Sequence, residues 1–205
     1  DVFVPPTKPR VKGRIVTTAS ADVPLKGLVP LLEALAKLRT ERDVHLVVVG
    51  SLRKGGATEE ALDRLDLNDA VEFVSDVAET ELVEIFGSAQ VAVVPSLYEG
   101  FSLPAVELMS CATPLVATNA GALPEVVGPD GEAVLRVEPG DPQELAVALG
   151  RLLDDDELAA RIGAAGRARV IENYTWSVVA ARTADWYRQC LAKAADGTEE
   201  DHADR

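Results

Sequence analysis

The sequence has few of the residues that would build a disulfide framework, a histidine-based active site or a basic surface. Among 205 residues, two are cysteine, two are histidine, and 20 Lys and Arg stand against 34 Asp and Glu. Two cysteines, Cys111 and Cys190, are too few for a disulfide scaffold and suit a reducing compartment. The formal charge of −14 argues against nucleic-acid binding, which usually requires a net basic face.

Long apolar runs are also missing. No run approaches the roughly 20 residues that a membrane-spanning helix needs, and no signal peptide opens the chain. The apolar content of 47% excludes a disordered chain and is ordinary for a globular domain. Because Asp1 is not an initiator methionine, we expect a processed product or a piece of a longer protein.

Short apolar runs alternate with amphipathic helical patterns, which is typical of a parallel sheet wrapped by helices. The predicted strands are Arg14–Thr18, Val44–Gly50, Ala70–Val74, Val91–Pro95, Pro114–Thr118 and Ala133–Val137. The pattern therefore predicts one doubly wound, Rossmann-like α/β domain with a parallel sheet of about six strands.

The last third of the chain changes to helices without intervening strands. The predicted helices there are Pro142–Leu153, Glu157–Asn173 and Trp176–Ala194, after earlier ones that begin near Gly27 and cover Glu59–Leu67 and Glu79–Ser88. We expect a single lobe over residues 1–195 that includes this helical extension, about 142–194. The acidic segment 196–205 is expected to be a disordered tail.

The strongest candidate site follows the fourth predicted strand. It reads Pro95-Ser-Leu-Tyr-Glu-Gly-Phe-Ser-Leu-Pro-Ala-Val-Glu107. Gly100 allows this loop to bring its backbone close to a ligand, and Pro104 suits the first turn of the next helix. Free backbone N–H groups at the positive end of a helix dipole bind phosphate. Here these groups would belong to Phe101, Ser102 and Leu103.

Two glutamates belong to this strand–loop–helix unit. Glu107 falls among apolar residues, where an unsatisfied carboxylate is costly. It is either bonded to a neighbouring amide or basic side chain, or it accepts from two adjacent hydroxyl groups, as on a ribose. Glu99 is either a surface loop acid or a group that projects into the same crevice. Because both occur in one unit, we favour a function for the pair.

Two further turns carry basic residues. Lys26 precedes the helix that opens near Gly27, where a positive charge is slightly unfavourable unless a phosphate binds there; a solvated lysine is the alternative. The turn from Gly50 to Gly56 superficially suggests a phosphate loop, but Gly56 stands where the P-loop needs its lysine. No G-x-G-x-x-G follows a strand, which disfavours a dinucleotide dehydrogenase.

Other catalytic patterns are weak. His45 lies in a predicted strand and His202 in the predicted tail, so no Ser–His–Asp set is visible. The acidic run Asp154-Asp-Asp156 favours a helix start over a metal site, and no metal site is predicted.

Taken together, these segments resemble the C-terminal, nucleotide-sugar-binding lobe of the retaining glycosyltransferases of family 4, which have the two-lobed GT-B fold. The resemblance rests on Glu99–Glu107, Lys26-Gly27, Thr118–Val127 and Tyr174–Trp176, and it extends from Asp1 to about Leu191. The opening Asp1–Pro5 is similar to the hinge segment that joins the two lobes.

The resemblance implies a role for each candidate residue. Glu107 would bind the ribose hydroxyls and Glu99 the donor sugar. Backbone amides from Gly100 to Leu103 would hold the sugar and diphosphate, whose charge Lys26 would stabilise. Val74 and Ser75, in the turn after the third strand, would lie against the base.

One departure from the family pattern concerns the diphosphate. Many members carry an arginine shortly before the lysine, whereas the stretch here reads Ala19-Ser20-Ala21. Ser20 can donate a hydrogen bond but carries no charge. Two possibilities stay open: either Arg53 substitutes for the missing arginine, or stabilisation of the leaving group is weaker.

The implied reaction is front-face transfer of a sugar from a UDP-, ADP- or GDP-sugar to an unknown acceptor, without a protein nucleophile, cofactor or metal. We expect an N-terminal lobe of the same polypeptide to complete the enzyme, membrane association only through that lobe, and a cytoplasmic location. The alternative function is a non-catalytic interaction module on the same scaffold. A phosphosugar epimerase or phosphorylase is a less favoured third option.

Overall fold

The computed structural model describes residues 2–19 and 23–200, with side chains through residue 193. The chain divides into two compact units, Asp1–Arg169 and Val170–Arg205. The first unit contains a sheet of six parallel strands in the order β3-β2-β1-β4-β5-β6. The strands are β1 (Val11–Thr18), β2 (His45–Val49), β3 (Val71–Val74), β4 (Ala89–Val94), β5 (Leu115–Thr118) and β6 (Leu135–Val137).

All six predicted strands and the doubly wound fold are confirmed. Helices connect the strands as α1 (Leu28–Arg39), α2 (Ala57–Leu65), α3 (Glu79–Ser88), α4 (Leu103–Ser110) and α5 (Leu123–Val127), and α6 (Pro142–Asp154) follows the last strand. A short 3₁₀ turn, Pro24–Lys26, precedes α1. The predicted second helix begins and ends two residues earlier in the structure, because Gly56 in an extended conformation starts it and Asp66 in a left-handed conformation ends it.

The core lies on both sides of the central strands. Ile15 and Val16 of β1 point to opposite faces and are both fully buried, as expected for a parallel sheet covered by helices on each side. On one side, α1 packs its leucine stripe over the sheet and against α6. Leu31, Leu32 and Leu35 of that stripe are fully buried. The leucines spaced three and four residues apart therefore form the buried face of α1.

The strand order places a topological switch point between β1 and β4. The chain leaves β1 toward β2 on one side, while β4 pairs with β1 on the other. In such sheets, the chain leaves the two central strands in opposite directions, and a crevice remains between their loops at the carboxyl edge. The turn after β1 and the loop after β4 are therefore brought together above the same edge.

The second unit is helical. The helix α7 (Asp156–Asn173) ends within it, and α8 (Trp176–Glu200) follows. The Thr175 hydroxyl accepts a hydrogen bond from the Val178 amide at 3.4 Å and so caps the start of α8. Within the described residues, no helix combines the length and apolar character needed to cross a membrane.

The structure differs from the prediction at the C-terminal end of this helix. The helix continues to Glu200, whereas a disordered segment was expected from residue 196. Residues 196–200 contain no proline, and Gly197 costs only about 1 kcal/mol relative to alanine, which does not stop a helix as proline would. The remainder of the predicted tail, residues 201–205, lies outside the described residues.

Candidate functional site

Lys26 and Glu99 meet above the switch point. The Lys26 Nζ lies 2.6 Å from the Glu99 Oε1, although the two residues are 73 positions apart in the sequence. The Glu99 side chain is 11% exposed and that of Lys26 is 30% exposed. The structure therefore brings the two predicted catalytic residues into one ion pair at the edge where ligands bind in this fold.

The turn after β1 is packed directly against the end of β4. Gly27 has a φ of +67°, and a Cβ atom there would lie 1.9 Å from the Pro95 carbonyl oxygen. The Leu97 amide also donates a hydrogen bond to the Leu25 carbonyl oxygen at 2.8 Å. Only glycine permits both this left-handed conformation and this close approach. The predicted Lys26-Gly27 pair thus sets the position of the lysine relative to the β4 loop.

Glu99 is held through its backbone as well as its side chain. The Ala122 amide donates to the Glu99 carbonyl oxygen at 2.9 Å. Gly121, with a φ of +57°, makes this contact possible, because a Cβ atom there would lie 2.2 Å from the same carbonyl oxygen. On the side chain, the Ser96 hydroxyl donates to Oε1 at 2.8 Å. The loops after β4 and β5 are therefore locked together at this glutamate.

The loop between Glu99 and α4 has the open geometry expected of an anion-binding turn. Space is open beside Gly100, where a Cβ atom would have no neighbour within 4 Å among the atoms described. Ser102 is the N-cap of α4, with φ 80° and ψ 80°, and its hydroxyl accepts from the Ala105 amide at 3.4 Å. Among the described residues, the amides of Ser102 and Leu103 have no acceptor. Phe101 and Leu103 are 42% and 61% exposed.

Glu107 lies further along α4 and is partly buried. Burial, and to a smaller extent the charge of Glu79, raises the pKa of the Glu107 carboxyl above its ordinary value. No side chain or amide in the described part of the chain donates a hydrogen bond to this carboxylate. The structure therefore does not support the interpretation of a carboxylate satisfied by a neighbour, and Glu107 is left able to accept from a ligand.

Three further predicted residues, Val74, Ser75 and Arg53, follow or end neighbouring strands of the sheet. Val74 ends β3, and its carbonyl oxygen accepts from the Gly50 amide at 2.8 Å. The exposed Ser75 directly follows, two strands from β1 in the sheet order. Arg53 is exposed in the turn after β2. Ser20 lies outside the described residues, so its predicted hydrogen bond stays a prediction.

The acidic run between α6 and α7 is confirmed as a helix start. The Asp155 carboxylate accepts a hydrogen bond from the Leu158 amide at 2.9 Å, which is an N-cap arrangement. Asp154 instead pairs with Arg42 at 2.7 Å. In the part of the chain that the structure describes, no three His, Cys, Asp or Glu side chains are grouped so that they could hold a metal ion.

Sequence reasoning missed two residues that support this site. Ser96 bonds to Glu99, and Thr118, at the end of β5, donates to the Ser96 carbonyl oxygen. Ser96 lay within the quoted motif, directly after the predicted strand and three positions before Glu99, so its place was a usable signal. Nothing in the spacing of Thr118 indicates its contact, because the two residues are 22 positions apart.

The sheet order and the paired loops define an α/β domain of the type found as one lobe of GT-B glycosyltransferases. Residues 4–169 match the family described as Glycosyl transferases group 1. This match covers most of the chain, and the chain belongs to that family.

Among curated relatives, the chain is 50% identical over 190 residues to MMP alpha-(1->4)-mannosyltransferase of Mycolicibacterium hassiacum, covering 93% of this chain and 46% of that protein. It is 37% identical to D-inositol 3-phosphate glycosyltransferase of Streptomyces griseus, covering 90% of this chain and 39% of that protein. The chain thus spans less than half the length of these relatives.

Two solved structures show the same fold. Sucrose-phosphate synthase from Thermosynechococcus elongatus matches with a TM-score of 0.80 and 30% identity over 94% of this chain and 50% of that one. The C-terminal domain of the glycosyl transferase group 1 protein LpcC from Francisella tularensis matches with a TM-score of 0.74 and 26% identity over 85% of this chain. That match includes 97% of the LpcC domain.

Proposed function

We propose that this chain is the donor-binding, C-terminal lobe of a retaining glycosyltransferase of family 4, which transfers a hexosyl group from a nucleotide diphosphate sugar. The observation that carries the proposal is the Lys26–Glu99 pair at the switch point, beside a loop in which the Ser102 and Leu103 amides have no acceptor among the described residues. The match to nearly the whole LpcC C-terminal domain supports the assignment to that lobe.

Lys26 and the loop amides supply what the departing diphosphate needs. When the sugar–phosphate bond breaks, negative charge grows on the leaving phosphate oxygen. A fixed ammonium group and fixed N–H dipoles stabilise this charge without reorganisation, and loss of one such donor costs about 3 kcal/mol. In this proposal Lys26 and the amides from Gly100 to Leu103 neutralise the leaving group, with Gly27 setting the lysine. Neither a metal ion nor a cofactor is required.

The two glutamates bind the two ends of the donor. Glu99, beside Lys26, accepts from hydroxyl groups of the transferred sugar. Glu107, which has no donor among the described residues, accepts from the ribose hydroxyls. Val74 and Ser75 lie against the base. Because the departing phosphate deprotonates the acceptor in front-face transfer, no protein nucleophile is needed.

The transferred sugar is proposed to be mannose, because the relative that is 50% identical carries that activity in its name. The whole reaction also needs an acceptor and, since the chain spans less than half of its relatives, an N-terminal lobe that closes over the donor. The isolated chain is therefore expected to bind the donor with negligible turnover. We place the reaction in the cytoplasm, where nucleotide sugars are made.

Isothermal titration calorimetry with UDP, ADP and GDP tests the proposal. One of the three should bind, with an affinity that Glu107→Gln lowers and that chelation of divalent metal by EDTA leaves unchanged. Glu60→Gln is the matched control, because Glu60 is an exposed carboxylate on α2. If none of the three nucleotides gives heat at millimolar concentration, the donor-binding function is refuted and the non-catalytic interaction module becomes the better hypothesis.

A further inference from the structure

Two buried hydroxyl groups connect β5 to the Lys26–Glu99 ion pair by consecutive hydrogen bonds. The Thr118 hydroxyl donates to the Ser96 carbonyl oxygen, and the Ser96 hydroxyl donates to the Glu99 Oε1. Thr118 is fully buried and Ser96 is 2% exposed. Neither hydroxyl is needed for the strand pairing of β4 with β5, which uses backbone groups. Both hydroxyls act on the segment that carries Glu99.

These hydrogen bonds fix one oxygen of the Glu99 carboxylate and leave the other for a ligand. Ser96 Oγ and Lys26 Nζ both donate to Oε1, at 2.8 Å and 2.6 Å. Within the described residues, Oε2 has no donor, and it is not enclosed away from solvent. Since the Glu99 main chain is also held by Ala122, the direction in which Oε2 faces is set by the fold rather than by the ligand.

We propose that Ser96 and Thr118 are positioning residues, which orient the Glu99 carboxylate toward the hydroxyl groups of the transferred sugar. This inference rests on the proposed function, because it assigns Oε2 to the sugar of a bound donor. Ser96 acts directly on the carboxylate, and Thr118 acts through the backbone at Ser96. Among the described residues, neither hydroxyl is bonded to an amide of the Gly100–Leu103 loop, so we expect their effect to be confined to the sugar end of the donor.

The test compares the affinity for a nucleotide diphosphate with the affinity for the corresponding nucleotide sugar, both measured by calorimetry on the full 205-residue chain. The probes are GDP with GDP-mannose, UDP with UDP-glucose, and ADP with ADP-glucose. Thr118→Val removes the hydroxyl at nearly constant volume, and Thr118→Ser retains it. Ser96→Ala removes the second hydroxyl and provides an independent variant if Thr118→Val fails to fold.

We expect Ser96→Ala to weaken binding of the nucleotide sugar by about tenfold, the usual effect of a lost hydrogen bond to a charged group. Thr118→Val loses a hydrogen bond to a neutral carbonyl group and should weaken the same binding by about fivefold. Binding of the nucleotide diphosphate alone should change less than about twofold. Thr118→Ser should restore the affinity for the sugar. This separation is not expected of a residue that merely stabilises the fold, because general damage to the site would weaken both ligands equally.

Three results would overturn the inference. Equal losses for both ligands would indicate a structural role, and an unchanged preference for the nucleotide sugar in both variants would show that the hydroxyls do not orient Glu99. In these two cases the proposed function stands, since the wild-type chain still binds a nucleotide. If the wild-type chain binds none of the six probes, the proposed function fails together with the inference.

Discussion

Replacing Glu107 by glutamine should stabilise the fold and weaken nucleotide binding at the same time. The carboxylate is partly buried, lies near the charge of Glu79, and has no hydrogen-bond donor among the described residues. These conditions make the ionised group unfavourable in the folded chain without a ligand. They also make it a strong acceptor for a ligand that supplies two hydroxyl groups.

The two effects have different sizes. A buried group without a partner costs about 1 to 3 kcal/mol, so a partly buried one should return about 1 kcal/mol of unfolding free energy when its charge is removed. Hydrogen bonds to a charged group contribute about 1.5 to 3 kcal/mol, which predicts a roughly 10- to 150-fold weaker affinity for the nucleotide. Glu60→Gln, on the exposed face of α2, should change neither quantity.

The stabilisation should also depend on pH. Because the pKa of Glu107 is raised in the folded state, the folded chain holds this proton more tightly than the unfolded chain does. The cost of the ionised group is present above the folded-state pKa and disappears as pH falls through it. The difference in unfolding free energy between Glu107→Gln and wild type should therefore be largest near pH 7 and become smaller as the pH is lowered.

Urea denaturation at pH 7 and pH 5 measures the stability difference, and calorimetry at pH 7 measures the affinity. If Glu107→Gln unfolds at a lower urea concentration than wild type at pH 7, the carboxylate has a partner that stabilises it. If the affinity for every nucleotide is unchanged, Glu107 does not bind the ribose.

Three further predictions concern Gly27, Arg10 and Lys26. A methyl group at Gly27 would lie 1.9 Å from the Pro95 carbonyl oxygen at a φ of +67°, so Gly27→Ala should lower the unfolding free energy by about 2 kcal/mol or more; an unchanged urea midpoint would contradict this. Arg10→Met removes five guanidinium hydrogen bonds and leaves buried carbonyl groups without a donor. It should therefore cost about 3 kcal/mol in the same assay, and a loss near zero would show that water replaces the arginine. Lys26→Met should weaken nucleotide diphosphate binding by about tenfold and flatten its salt dependence; an affinity that still falls as steeply with salt would exclude Lys26 as the phosphate contact.

The fold was predictable because its signals are local. The strands β2 and β4 are nearly continuous aliphatic runs, since a parallel sheet is buried on both faces, and the leucine spacing of α1 marks the face that packs on the sheet. Once six such strands alternate with helices, few topologies remain. The C-terminal end of α8 was not predictable in this way, because the acidic composition argued for a tail, whereas the helix continues to Glu200.

Residues that act across the fold were less predictable. Arg10 bonds to Gly87, Ala89, Cys111, Ala112 and Thr113, and none of these contacts has a sequence pattern. Burial lowers the pKa of this guanidinium, yet it has only neutral partners, an arrangement that charge pairing would not suggest. Thr118 is missed for the same reason, because its contact depends on how the loop after β4 passes the end of β5.

The position of Lys26 shows why a locally unfavourable residue can still be correct for the fold. A cation beside the start of α1 opposes the helix dipole, and a bound phosphate was the compensation expected from sequence alone. In the structure, the Glu99 carboxylate at 2.6 Å supplies the compensating charge before any ligand arrives. The lysine is therefore already ordered at the switch point, and a diphosphate that binds there would not have to fix a mobile side chain. The Glu99 carboxylate therefore keeps Lys26 in place, but it also competes with the diphosphate for the lysine charge. Its second oxygen, Oε2, has no donor among the described residues and stays available to the ligand.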